Sequence, residues 1–431
     1  MILSENRFPP SDQVQGQAFP DHAAGRENEK IAPSAAPQLS PQRTIRLIGL
    51  TLALGYLIVL GGSYLQGHFL TDPQGRPIAN DFVNVWAAGQ LARDGAAPSA
   101  YDWTLHRAAE VRAVGYDFDG YYGWHYPPPA FFFAAALATL PYQVAAVVWL
   151  LTTLAAYAAA IAGILGMRTG ILFALGFPAA IWNVTAGQNG FLTAALIGGT
   201  LSLLERHPAL AGICLGLLTY KPQFGLLFPI VLIADRRWLT LAVAALVALL
   251  LAALSWLAFG SASWTAFAHW APISNRALID QGALDWYRLQ SVFALVRAHG
   301  GSETLAWIVQ GILMLALAVG LVWLWKSRAA FELKAAALAA GALLATPYLF
   351  MYDLVVLAVA VAFLLRLALA REFLSRIEIA ALAAAGTLIL IYPYVKTNVG
   401  LAAVVIVMAL IVHRAAAAIK TVRTATVKTK M

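Results

Sequence analysis

Several side chains capable of chemistry stand in this chain where their neighbours are apolar. Asp81 lies in the run Asn80-Asp81-Phe82-Val83-Asn84-Val85-Trp86. A carboxylate at a half-desolvated boundary gains basicity and can take a proton from a hydroxyl. The same residue also suits the N-cap of a helix over 82–93. Lys221 interrupts an apolar hairpin at Thr219-Tyr220-Lys221-Pro222-Gln223. A lysine near a bilayer is costly unless it snorkels or pairs, so function is the first hypothesis. Facing outward at the headgroup level, its ammonium is a point charge suited to a lipid-linked phosphate, with Gln223 on the same turn. His125 opens Trp124-His125-Tyr126-Pro127-Pro128-Pro129, where it can bind an anionic group or sit as a surface residue before a proline-led helix start. Gln188 and Asn189, between two apolar runs, can hydrogen-bond sugar hydroxyls or satisfy a tight turn. The stretch 259–303 collects Trp264, His269, Trp270, Trp286, Tyr287, Arg288 and Gln290. Aromatic faces beside hydrogen-bonding groups suit carbohydrate, and they suit an interfacial aromatic belt equally well. Asp353 follows Thr346-Pro347-Tyr348-Leu349-Phe350-Met351-Tyr352 and can pair with Lys221 or Lys396, or cap the next helix.

The elements that hold these residues must lie in lipid. Of the 431 residues 61% are hydrophobic and only 12% charged, with mean hydropathy +0.72. So few charges could not cover a soluble globule of this size, so the surplus apolar surface faces a bilayer. The net charge of +8 is spread as short basic clusters between apolar runs, the pattern of the positive-inside rule, and nucleic acid is not an expected partner. The one cysteine, Cys214, excludes an intrachain disulfide and a thiolate metal site. No phosphate-binding glycine loop, dinucleotide fingerprint or zinc-type His/Cys cluster is present.

Residues 1–42 are rich in Pro, Gln, Ala and charge and read as a disordered cytoplasmic tail. No basic-then-apolar signal opens the chain, so the run near residue 46 is expected to stay as an anchor. A transmembrane domain is expected over 43–413, and a basic cytoplasmic tail over 414–431. Arg43 and Arg46 place the N-terminus inside. Spans are expected near 46–65, 143–166, 170–186, 190–204, 208–219, 224–234, 238–258, 304–325, 335–347, 354–370, 377–392 and 398–413. The fold is thus an all-α polytopic bundle of about twelve spans, with 208–234 open to a re-entrant alternative. Helices at 82–93 and 101–114, and a short one at 129–140, are expected along the outer membrane surface. With this alternation Asp81, Gln188, Lys221, Arg288 and Asp353 all fall on the outer face, on loops 66–128 and 259–303 and the intervening turns.

Four segments in fixed order resemble glycosyltransferase family 87, the polyprenyl-phosphate-mannose-dependent mannosyltransferase group. They read DFVNVWAAGQLARDG, then HYPPPAFFFAAALATLP, then the stretch from GQNGF through TYKPQFG to DRRW, then ATPYLFMYDLVVL, over about residues 45–370. The resemblance implies a class C glycosyltransferase that uses a lipid-phosphate sugar donor and a glycan or glycolipid acceptor on the outer face. A multi-pass inner-membrane location with a periplasmic active site follows from it. It also implies that Asp81, just past the first span, is the catalytic base. Lys221 matches the family's Lys-Pro turn and a donor-phosphate role. The His-Tyr-Pro-Pro stretch is similar to the His-Pro-Pro of related protein mannosyltransferases, which brings His125 to the site. Gln188, Gln223, Arg288 and Asp353 join it as substrate-binding residues. The class often shows two adjacent acids in the first loop, whereas Asp81 is flanked by Asn80 and Phe82; no essential metal and no cofactor are expected. No second carboxylate stands as nucleophile, so a single inverting displacement is expected. A secondary transporter or flippase of a lipid-linked saccharide is the rival reading, and it predicts mid-membrane ionisable groups and internal repeats.

Overall fold

The computed structural model describes residues 40–279, 285–371 and 373–428. Among the described residues every regular element is helical, and extended segments pair only in isolated bridges. In chain order the α-helices are α1 (Pro41–Leu65), α2 (Phe82–Arg93), α3 (Trp103–Val114), α4 (Phe131–Leu137), α5 (Tyr142–Leu165), α6 (Met167–Leu175), α7 (Ala180–Ala186), α8 (Gly190–Leu203) and α9 (Pro208–Leu217). They continue as α10 (Leu227–Ala234), α11 (Trp238–Ile279), α12 (Val292–Ala298), α13 (Glu303–Lys326), α14 (Phe331–Ala345), α15 (Leu357–Ala370), α16 (Arg376–Leu390) and α17 (Val399–Lys428).

Among the described residues six stretches are long and apolar enough to cross a bilayer: α1, α5, α11 to residue 273, α13, Met351–Ala370 around α15, and α17 to residue 419. The α6–α7 pair, bent by 57°, makes a seventh if it is one span. The chain is a multi-pass helical membrane protein. The expectation of about twelve spans exceeds what helix length supports. Each expected segment does contain a helix, but α8, α9, α10, α14 and α16 have 14, 10, 8, 15 and 15 residues. At about 1.5 Å per residue these fall short of a hydrocarbon core of about 30 Å.

Three further expectations are adjusted. The stretch from 259 does not begin as a loop, because α11 runs on through Ile279 past a kink at Gly260, whose φ is 76°. The helix expected at 129–140 is only α4 preceded by a 3-10 turn at Pro128–Ala130. Helix α2 does not lie on a surface with one apolar stripe: Phe82 through Val85, Ala87 through Gly89 and Leu91 are all buried. The expected tail at 1–42 lies, but for residues 40–42, outside the described residues, and α17 continues past the boundary expected at 413.

Burial divides the spans. The Met351–Ala370 stretch and α13 share a mean hydropathy of 2.4, yet 83% of the first is buried in protein against 17% of the second. The first is therefore a central helix and α13 a peripheral one whose apolar surface is left for lipid. Beside α15 lies α14, in which Leu333 and every residue from Ala335 to Ala345 is buried. Its run of alanines lets neighbouring backbones approach, which is how helices associate where lipid removes the hydrophobic drive. The same device joins α9 to α11. Gly212 and Gly216 are four apart on one face of α9, and a Cβ on either would stand 2.7 Å from the Thr240 carbonyl or 2.5 Å from the Val247 Cβ. Polar side chains of α2 secure the end of α4: Trp86 Nε1 donates to the Leu140 carbonyl at 2.9 Å, and Gln90 Nε2 to that of Ala138 at 2.7 Å. Arg93 donates to the same Ala138 carbonyl at 2.6 Å, satisfying an acceptor that the helix end leaves open.

Candidate active site

Short helices that stop inside the bundle create turns there, and the polar residues sit on those turns. Irregular backbone at such depth is tolerated only where protein buries it or where it lines a cavity. Asp81 occupies the N-cap position of α2, but its carboxylate makes no cap bond. Asn80 does that work instead, its Oδ1 accepting from the Phe82 N–H at 3.1 Å and from the Tyr142 hydroxyl at 3.3 Å. The Asp81 carboxylate is thereby left to face the turn between α7 and α8, where Gln188 Nε2 donates to its Oδ2 at 3.0 Å.

That turn is fixed on several sides. Gly187 has φ 70°, which a side chain would strain, and a Cβ there would meet the Asn80 amide at 2.9 Å. Asn183 Oδ1 accepts the Gly190 N–H at 2.8 Å. The Tyr126 hydroxyl donates to Gln188 Oε1 at 3.4 Å and accepts from Asn189 Nδ2 at 2.6 Å. Gln188 therefore has its amide orientation set by Tyr126 and by the Asn189 N–H, 3.2 Å from the same Oε1.

Lys221 sits where two half-helices meet, with 3-10 turns at Leu218–Tyr220 and Pro222–Phe224 on either side. It is enclosed by protein rather than open to the outside as expected. Its Nζ donates to Asp353 Oδ1 at 2.7 Å, and the two side chains are 8% and 1% exposed. The rings of Tyr352 and Phe224 lie 5.2 and 5.5 Å from the ammonium, which adds cation–π attraction. Of the partners open to Asp353, the structure takes Lys221, and Oδ2 also accepts the Phe350 N–H at 3.3 Å as a helix-start cap. Lys396 is exposed. The ammonium has three donors, of which Asp353 uses one.

Arg288 comes from the stretch after α11. A β-bridge joins Leu289 to Phe350, and the Gln290 N–H donates to the Leu349 carbonyl at 2.5 Å. Asn398 Nδ2 donates to the Leu289 carbonyl at 2.6 Å, and Gln290 Oε1 accepts the Gly400 N–H at 2.7 Å. These bonds carry Arg288, itself exposed, to within electrostatic reach of Asp81. Burial raises the Asp81 carboxyl above its ordinary range, opposed by the Gln188 hydrogen bond and then by the charges of Arg288 and Lys221. Protein surrounds Asp81, yet it keeps accessible surface, so it lines a recess.

His125 belongs to the same region without a hydrogen bond to Asp81. Its imidazole rests on Gly123, where a Cβ would stand 2.6 Å from Nε2 and 3.1 Å from the Tyr121 ring. Unlike Asp81 it is exposed at its outer edge, while the protein packed around the rest of the ring lowers its pKa to about 4. Gln223 shares the Lys221 turn, half-buried, and is outside the hydrogen-bonded network. The structure thus joins Asp81, Gln188, Lys221, Arg288 and Asp353, sets His125 to one side, and leaves Gln223 apart.

Two groups escaped the sequence reading. Tyr126 and Asn80 each stand next to a residue singled out, and they orient Gln188 and free Asp81. The second group is on α3. His106 and Glu110, four apart and fully buried, face each other at 3.6 Å between Nε2 and Oε1. Burial pushes Glu110 up to about 8, with Arg107 opposing, and His106 down to about 3. Burial thus favours the neutral form of both groups, while Arg107 at 3.5 Å draws Glu110 back toward its charged form. The His-x-x-x-Glu spacing was the available signal. Among the described residues no three His, Cys, Asp or Glu side chains are grouped as metal ligands.

No curated protein and no solved structure matches the chain. The family model of glycosyltransferase family 87 matches residues 124–347, just over half of the chain. The match contains His125, Gln188, Lys221, Gln223 and Arg288, while Asp81 and Asp353 fall outside it. A multi-pass helical membrane protein with this match, built around a carboxylate, two cations and a lysine-proline turn, belongs to glycosyltransferase family 87.

Proposed function

We propose that the chain transfers a hexose, mannose first among the alternatives, from a polyprenyl-phosphate donor to an acceptor hydroxyl on the periplasmic face of the inner membrane. The observation that carries this reading is the setting of Asp81: its carboxylate is held by Gln188 at 3.0 Å and lies in the field of Lys221 and Arg288. A donor phosphate is anionic and needs cations at its leaving oxygen more than it needs a proton. Lys221, with donors to spare, and Arg288 supply them. An acceptor hydroxyl has a pKa far above 7 and needs a base. Asp81, made more basic by burial, takes that proton as the new carbon–oxygen bond forms. The bond from the anomeric carbon to the phosphate oxygen breaks, and polyprenyl phosphate leaves. One displacement inverts the anomeric centre, with no metal in the step.

Asp353 then serves to hold Lys221, and Gln188 to aim Asp81. His125 is assigned to the acceptor side and Gln223 to the rim of the donor side. The about twelve segments of the expected topology are retained as short and long helices around this recess, with residues 43–413 as the catalytic domain and both ends inside. The test is purified protein in lipid nanodiscs incubated with a panel of polyprenyl-phosphate sugars and a membrane glycolipid extract, following loss of each donor. Consumption of one donor with release of polyprenyl phosphate supports the reading. Stability of every donor, in a protein that remains folded, refutes it.

A further inference from the structure

Three elements build an aromatic strip beside the recess. Trp103 begins α3, Tyr121 lies on the loop after it, and Trp270 is on the part of α11 beyond the Gly260 kink. The Trp103 ring is 6.1 Å from that of Tyr121 and 5.9 Å from that of Trp270. An imidazole stands at each end. His269 meets Trp270 edge-on at 5.6 Å, and His125 shares the Gly123 cradle with Tyr121. Tyr121 is 38% exposed, both imidazoles are exposed, and Trp103 and Trp270 are half-buried, with the rings tilted by 50° and 40° along a curved strip. The strip is tied to Asp81 by a short chain of contacts. The Tyr101 hydroxyl, two residues before Trp103, donates to the Tyr126 carbonyl at 2.9 Å, and Tyr126 in turn orients Gln188 against Asp81.

We propose that Tyr121, Trp103 and Trp270, edged by His125 and His269, form the acceptor subsite, a stacking platform for the neutral pyranose ring that carries the attacking hydroxyl. The proposal rests on the transferase reading for the word acceptor, but not for the binding itself. Ring faces offer a large, rigid, apolar surface to the C–H face of a sugar, and imidazoles at the edges can exchange hydrogen bonds with its hydroxyls. Charge argues against the donor phosphate as occupant. The acids Asp102, Asp117 and Asp119 outnumber the cations Arg107 and Arg112 on α3 and its flanking residues. Arg107, the cation of the same helix turn, is committed to Asp117 at 2.9 Å and to Glu110 at 3.5 Å. The cations in the field of Asp81, Lys221 and Arg288, belong to other turns. An in-line displacement needs its nucleophile opposite the leaving phosphate, so a separate neutral surface for the acceptor is what the reaction requires. Gly123 has a defined part in this: a methyl group on it would push the imidazole off the platform.

The test is saturation-transfer NMR on the full chain in lipid nanodiscs, which keeps sugar-headed detergents out of the site. The probes are methyl α-mannopyranoside, methyl β-glucopyranoside and methyl β-galactopyranoside, with glycerol as control. Ring C–H protons of at least one glycoside should receive saturation, and those of glycerol should not. Trp270→Ala should cut the effect by about fivefold, while Trp103→Phe keeps an aromatic face and most of the signal. Should Trp270→Ala fail to fold, Trp103→Leu carries the same expectation of loss. No saturation of any glycoside, or saturation unchanged in the folded alanine or leucine variant, overturns the proposal and leaves the strip as an interfacial belt. An absence of donor turnover would refute the transferase reading while leaving the saturation result standing, so the two failures are distinguishable.

Discussion

Removing one member of the Lys221–Asp353 pair should destabilise the protein more than removing both. The pair is almost wholly buried, with 8% and 1% of the side chains exposed and a contact of 2.7 Å. Lys221→Ala leaves the Asp353 carboxylate with only the Phe350 N–H at 3.3 Å. Breaking such a pair from one side typically costs about 3–5 kcal/mol, because a charge stays buried without compensation. Asp353→Asn should cost less than Lys221→Ala, since the amide oxygen can still accept from the ammonium. The double variant Lys221→Met, Asp353→Leu removes both charges with little loss of volume, and it should recover most of the stability. The assay is the thermal unfolding midpoint in nanodiscs at fixed protein and lipid, read for the four proteins together, with donor affinity measured on those that remain folded. The expected order of stability is wild type and double variant at the top, Asp353→Asn next, Lys221→Ala last. The double variant should still lose donor binding, which separates the stabilising role of the pair from the phosphate-binding role of its lysine. A Lys221→Ala protein as stable as wild type, or a double variant no better than the worse single one, would refute the reasoning.

Other outcomes follow from the same contacts. Glu110, raised to about 8, binds a proton in the folded protein that it releases near its ordinary range when unfolded. Its share of stability is therefore full below about pH 4.5 and is lost as pH rises to about 8. Glu110→Gln should become progressively more stable than wild type from pH 5 to 8; a pH-independent difference in melting midpoint would contradict this. Gly216→Ala must push α9 from α11, because the new methyl would stand 2.5 Å from the Val247 Cβ. A loss of about 1–3 kcal/mol is expected, checked by thermal melts, and a neutral result would mean that the two helices are looser than described. In a Cys214→Ala background, Gln74→Cys and His299→Cys should both react with an impermeant thiol reagent from the periplasmic side; protection of both would overturn the orientation.

The positions of the helices were largely legible, and their depth was not. Apolar runs located the starts of most helices to within a few residues, because backbone groups in lipid leave few alternatives, but they missed how far α11 and α17 continue past their apolar stretches. Hydropathy cannot say whether an apolar helix faces lipid or protein. The Met351–Ala370 stretch and α13 are equally apolar, and only contacts from distant segments reveal that the first is central. The same blindness hid how far protein encloses Lys221. Its turn is bounded by apolar runs that read as crossings, whereas α9 and α10 are too short, so the ammonium is enclosed and paired. Asp81 could be located from its place after α1, but its freedom from capping could not, because that depends on Asn80 taking the cap. Tyr126 was hidden for a related reason: a tyrosine beside three prolines carries no pattern that announces a bond to a turn 62 residues away.

In the proposed transfer the Asp81 carboxylate is the base. The most direct measurement of that role is single-turnover release of polyprenyl phosphate by wild type and Asp81→Asn at saturating donor, alongside melting midpoints. Asparagine keeps the shape and an oxygen for Gln188, and no helix cap is lost. The account predicts unchanged folding with turnover lower by about a hundredfold or more. A folded Asp81→Asn protein that turns over donor at nearly the wild-type rate would contradict it.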